Sequence, residues 1–62
     1  MTVSIERQIG CVAREIAMRK NVYPKFVLTG RFGMTQGKAD DEIAAMEAVL
    51  QTLKRVKEGG AP

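Results

Sequence analysis

Apolar residues recur along two stretches of the chain with the period of a helix. In the first, Ile5, Ile9, Val12 and Ile16 lead into Arg19 and Tyr23 by steps of 4, 3, 4, 3 and 4, with Ala13 and Ala17 widening the row. That spacing is one stripe on a helix, and it predicts a helix from about Ser4 to about Val22. Ser4 can cap its start, because a serine hydroxyl accepts from a free amide two or three residues on. Gly10 weakens such a helix by about 1 kcal/mol relative to alanine, and its missing side chain leaves room for a second helix to come close.

In the second stretch, Ala39, Ile43, Met46, Leu50 and Leu53 step by 4, 3, 4 and 3, predicting a helix from about Gln36 to about Glu58. Thr35 is its natural N-cap. Asp40, Asp41 and Glu42 lie near its first turns and Lys54, Arg55 and Lys57 in its last, the arrangement that complements the helix dipole. Ala45, Val49 and Val56 form a flanking row, so this apolar face is broader than one neighbouring helix covers. Gly59 and Gly60 end the helix.

Between the two lies Asn21 to Met34. Pro24 has no amide hydrogen and disfavours helical geometry at Tyr23. It either kinks the first helix or opens a short new turn over Pro24 to Thr29, after which Gly30 and Gly33 permit the reversal. A connection this short sets two helices antiparallel. The expected fold is therefore all-α: a helical hairpin with a proline-marked tip, one domain over residues 1–58 and a flexible tail at 59–62.

Size sharpens the question of the broad second face. A chain of 62 residues buries only about 60% of its unfolded surface, so its core alone is marginal and a staple is expected. One cysteine and no histidine exclude an internal disulfide and a Cys₂His₂ or Cys₄ zinc site. The remaining staple is a partner subunit. Two hairpins related by a two-fold axis would form a four-helix bundle, with Ile43, Met46, Val49, Leu50 and Leu53 at the dimer seam. The rival is a hairpin that docks on a larger protein. Hydrophobic residues at 45% and charged residues at 27% are an ordinary globular balance, which argues against disorder. No apolar run reaches the roughly 20 residues of a membrane span. Glu6 and Arg7 stand where a signal peptide would need apolar residues, so the expected setting is the cytoplasm.

Little in the sequence points to catalysis. Without histidine there is no ready general base. Cys11 is the one strong nucleophile and has no imidazole to activate it, so it reads as a small boundary thiol. Asp40, Asp41 and Glu42 lack the alternating ligands and turn glycine of a Ca²⁺ loop. Gly30, Gly33 and Gly37 lack the order of a phosphate-binding loop. The expectation is a protein that is not an enzyme, with no metal site and no cofactor.

The distribution of charge is more informative. The net charge is +3, but from Arg14 to Lys38 the chain has six bases against Glu15 alone. The same segment holds all three aromatics, Tyr23, Phe26 and Phe32. Interleaved bases and aromatics can hold nucleic acid through phosphates and stacking. They can equally anchor a protein, since tyrosine and arginine dominate interface hot spots. They can also do neither, with the aromatics packing under the turn and the bases solvated. A net charge of +3 is small for a dedicated DNA-coating protein. The candidate binding residues are Arg19, Lys20, Tyr23, Lys25, Phe26, Arg31 and Phe32. The mixed charges of Arg7, Arg14, Glu47 and Lys54 suit a solvated outer face rather than a membrane surface.

The runs Glu15-Ile16-Ala17-Met18-Arg19, Val22-Tyr23-Pro24, Gly30-Arg31, Met34-Thr35-Gln36, Lys38-Ala39-Asp40 and Met46-Glu47-Ala48-Val49-Leu50 resemble a group of short phage- and prophage-encoded proteins. The likeness spans roughly residues 9–53. It implies a small accessory protein of a bacterial virus that works in the host cytoplasm by blocking or redirecting a host complex. The expected protein is thus a homodimeric binding module with a larger host protein as its partner, direct nucleic-acid binding or a structural phage component being the alternatives.

Overall fold

The computed structural model describes residues 2–59. Helix α1 spans Ile5–Thr29 and helix α2 spans Gln36–Lys57, with a single 3-10 turn at Arg31–Gly33 between them. The helices pack against each other as a hairpin, and no strand occurs among the described residues.

Local chemistry sets the helix ends. Ser4 is extended (φ −63°, ψ 153°), and its hydroxyl accepts from the Arg7 amide at 3.2 Å. Thr35 does the same for the Lys38 amide at 3.2 Å. Such a cap satisfies one of the orphan amides of a first turn. α1 stops at Gly30, whose left-handed backbone (φ 68°) turns its amide back to the Val27 carbonyl at 3.4 Å. α2 closes through the Glu58 amide on Lys54 (3.1 Å) and through Gly59, also left-handed at φ 85°. The tail expected at 59–62 lies, apart from Gly59, outside the described residues.

Helix α1 corrects the expectation that it ends near Val22. It continues for seven more residues, with Pro24 inside it. Proline removes its own donor and its ring crowds the Lys20 carbonyl, which is left without its helical partner. Beyond it, Phe26 and Val27 are half-buried, so the stripe goes on and packing favours more helix. The acids at the start of α2 also sit differently. The helix begins at Gln36, and its first turn has no acid. Asp40 instead accepts from the Gln36 side chain at 2.8 Å. Dipole effects fade beyond one turn, and Asp40 and Glu42 have specific side-chain partners instead, Gln36 and Arg19.

The stripes meet as their spacing predicts. Ile5, Ile9, Val12, Arg19, Val22, Tyr23 and Phe26 of α1 are half-buried, as are Ile43, Met46, Leu50 and Leu53 of α2. Among the described residues, only Ile16 (6% exposed) and Ala39 (2%) are buried. The flanking row of α2 is uncovered: Ala45, Val49 and Val56 are all exposed. Ala13 and Ala17 are exposed too, and nothing lies within 4 Å of a Cβ built on Gly10. The close approach that this glycine would permit is therefore unused within one hairpin.

The result is a rod, 42 × 21 × 17 Å, with a radius of gyration of 14.0 Å. A compact chain of this length would have a radius of roughly 10–11 Å. Its accessible surface of 4744 Å² likewise exceeds the roughly 4000 Å² typical of a folded monomer of this mass.

Candidate functional site

The tip is built from the last turns of α1, the 3-10 turn and the first turn of α2. Three of its residues have left-handed backbones: Gly30 (φ 68°), Phe32 (φ 58°) and Gly33 (φ 66°). Glycine adopts that region freely, but a bulky side chain there costs of order 1–3 kcal/mol. Phe32 is the one non-glycine residue among those described to do so. The strain is held by the amide of Gly33 on the Gly30 carbonyl at 3.2 Å and that of Met34 on Arg31 at 3.1 Å.

The aromatics form a chain along the tip. Tyr23 and Phe26 have ring centroids 6.3 Å apart, tilted by 42°, and Phe26 meets Phe32 edge to face at 5.2 Å and 81°. The Arg31 guanidinium lies 5.6 Å from the Phe32 centroid, within cation–π range. Tyr23 and Phe26 are half-buried, whereas Phe32 remains 79% exposed. Among the described residues, Leu28 is the most exposed large apolar side chain, at 87%.

The bases expected at this site separate into two sets. Arg19 faces the partner helix: its Nε donates to Glu15 at 3.0 Å, and one Nη donates to the Tyr23 hydroxyl at 3.3 Å and to Glu42 of α2 at 3.4 Å. The hydrogen bond with Glu15 pushes the Arg19 pKa still further up, partly opposed by desolvation, so its charge is permanent. Lys20 pairs with Glu47 at 3.3 Å, with both side chains about half exposed; a pair so solvated contributes little. Lys38 donates to the Gly33 carbonyl at 3.3 Å. Arg19 and Lys20 thus reach across the hairpin to α2, while Lys25 and Arg31 have no carboxylate partner among the described residues.

Two participants escape a reading of the sequence. Glu42 looks like a dipole residue until α2 is placed against α1. Leu28 has no assigned face once α1 is taken to stop at Val22; extending the 3.6-residue period past Pro24 puts it off the buried stripe.

The open end of the hairpin offers a second surface. A shallow groove of about 660 Å³ is lined by Val3, Cys11, Val12, Val49 and Leu53, with Arg7 and Gln8 as its polar lining. Of the residues expected at a dimer seam, Val49 (47% exposed) and Leu53 line this groove, and Ile43, Met46 and Leu50 are half-buried in the hairpin itself. Among the described residues, no group of three or more Cys, Asp or Glu is placed to hold a metal, and no helix is long and apolar enough to cross a membrane. No protein family, curated protein or solved structure matches this chain.

Proposed function

We propose that this chain is a non-enzymatic binding module that pairs with a second copy and presents the hairpin tip to a larger protein. The observation that carries the reading is the exposure of Leu28 and Phe32 together at the tip, with Phe32 held in a strained backbone. Two large apolar side chains left in water at one end of the rod suit an interaction surface, and strain of this kind clusters at ligand clamps. On the resemblance to short phage proteins, the larger protein is a host complex that the rigid rod blocks or redirects by its bulk.

Pairing into a four-helix bundle is the scaffold of this reading. It is supported by the two-residue core, by the exposed row of Val49 and Val56, and by the groove at the open end. The surface in excess of a compact monomer, on the order of 700 Å², approaches the roughly 800 Å² that each partner contributes to a standard interface.

Direct nucleic-acid binding is the second reading, favoured by Lys25 and Arg31, which have no carboxylate partner among the described residues. A single experiment addresses the tip. Immobilised wild type and the Leu28→Ser/Phe32→Ser variant are exposed to host lysate, with helicity checked by circular dichroism. At least one protein should be held by wild type and lost by the variant; identical retained sets would remove the tip from its role.

A further inference from the structure

From Ile16 to Ala39 the chain has five bases and no carboxylate. Three of the five are occupied. Arg19 is matched by Glu15 and Glu42, Lys20 by Glu47, and Lys38 is turned onto the Gly33 carbonyl. Lys25 and Arg31 are the two left over, and they accompany the two most exposed apolar side chains. Lys25 is three residues before Leu28 on α1, which puts both on one helix face. Arg31 adjoins Phe32 and lies over its ring.

We infer that the partner is a protein with an apolar cleft rimmed by carboxylates, that Leu28 and Phe32 enter the cleft, and that Lys25 and Arg31 meet the rim. This rests on the tip being the binding site. Charge complementarity selects the rim: two cations without carboxylate partners would be repelled by a basic surface and would lose hydration without return against an apolar one, whereas opposite potentials steer encounter. The cleft follows from shape. Leu28 and Phe32 are exposed at one end of a narrow rod, and a backbone already held in its turn has less freedom to lose on insertion.

Protein is favoured over nucleic acid by what these side chains offer. Single-stranded nucleic acid binds where aromatic faces are open to stack bases. The Phe32 ring is already engaged by Arg31 and, edge to face, by Phe26. Leu28 has no face on which a base could stack. A tip that served only to close the hairpin would account for half-buried Tyr23 and Phe26, but not for Leu28 in open water.

Site-specific photo-crosslinking in host cells tests the inference, with benzoylphenylalanine at position 28, at position 32, and at exposed Asp41 as the control. Positions 28 and 32 should capture the same protein segment, one whose mapped peptide combines apolar residues with Asp or Glu. Lys25→Glu/Arg31→Glu should reduce that capture at least about tenfold, as charge reversal at an interface does, with the helical spectrum unchanged. Capture that survives charge reversal would overturn the acidic rim while leaving the tip as the binding site. Nuclease-sensitive adducts, or retardation of a (dT)20 oligonucleotide at low salt that Leu28→Ser/Phe32→Ser abolishes, would overturn the choice of protein. Adducts no stronger at 28 and 32 than at Asp41 would overturn both this inference and the tip reading beneath it.

Discussion

Arg19 of α1 bridges to Glu42 of α2, 23 residues away in sequence, with Nη1 3.4 Å from Oε2. The same guanidinium holds Glu15 and Tyr23 on its own helix. It sits on the buried stripe where an aliphatic residue would be expected, and its stem supplies apolar contact while its head stays at the boundary. Arg19→Met keeps the stem and loses the head. It should lower Tm by about 2–5 °C, because part-exposed ion pairs in a small domain contribute modestly. Thermal unfolding followed by circular dichroism measures this. The raised Arg19 pKa fixes the alkaline side of the pH dependence: the guanidinium's contribution is present at neutral pH and is lost as strong alkali discharges it. The difference between wild type and Arg19→Met should therefore persist from neutral pH upward until that point.

Gly10→Ala should stabilise an isolated hairpin by about 0.5–1 kcal/mol, since alanine restricts the unfolded chain and favours helix. The new methyl meets nothing within 4 Å. Denaturant titration at low protein concentration is the measurement. A loss of stability that grows with concentration would place a second helix against Gly10 in the assembled protein.

Pro24→Ala restores an amide opposite the Lys20 carbonyl inside a continuous helix. An interior proline costs about 3 kcal/mol relative to alanine, so the variant should be more stable by about 1–3 kcal/mol. An unchanged or lower unfolding midpoint would mean that Pro24 shapes the tip in a way the rest of the chain depends on.

Val49→Asp separates pairing from folding. Val49 is exposed within one hairpin and lines the open-end groove. The substitution should leave helicity intact at high concentration yet abolish any dependence of Tm on concentration, the mass-action mark of association. Ile43→Asp places a charge in the half-buried stripe and should cost several kcal/mol instead. Sedimentation of wild type as a stable monomer at micromolar concentration would refute the paired scaffold.

Phe32→Gly relieves a left-handed phenylalanine and gives up its edge-to-face contact with Phe26. The two effects oppose each other, at about 1–3 kcal/mol gained and about 0.5–1.5 lost, so stability should hold or rise slightly. Retention of the partner should fall to background. A protein that gains stability as it loses binding has exchanged one for the other at that residue.

The arithmetic of the stripes made most of the fold legible in advance. Ile5 to Tyr23 and Ala39 to Leu53 occupy the inner faces that their spacing dictates, and Ser4 and Thr35 cap as their hydroxyls allow. Pro24 misleads because the rule for proline weighs one missing donor. The continuing stripe at Phe26 and Val27 outweighs it, and that term becomes visible only once α2 is in place. Arg19 and Lys20 read as site residues because composition counts charges without partners; Glu42 and Glu47 come within reach only across the hairpin. The backbone of Phe32 has no sequence signal at all. Gly30 and Gly33 advertise a left-handed turn, and nothing marks the residue between them as sharing it.

Cys11 is the chain's sole thiol; it is exposed and borders both the open-end groove and a smaller one beside Arg14 and Met18. That position makes it a ready-made ruler. A nitroxide attached there needs no engineered attachment point, and dipolar coupling between two labels would report at once whether copies associate and, from the separation, whether their open ends lie side by side or at opposite poles.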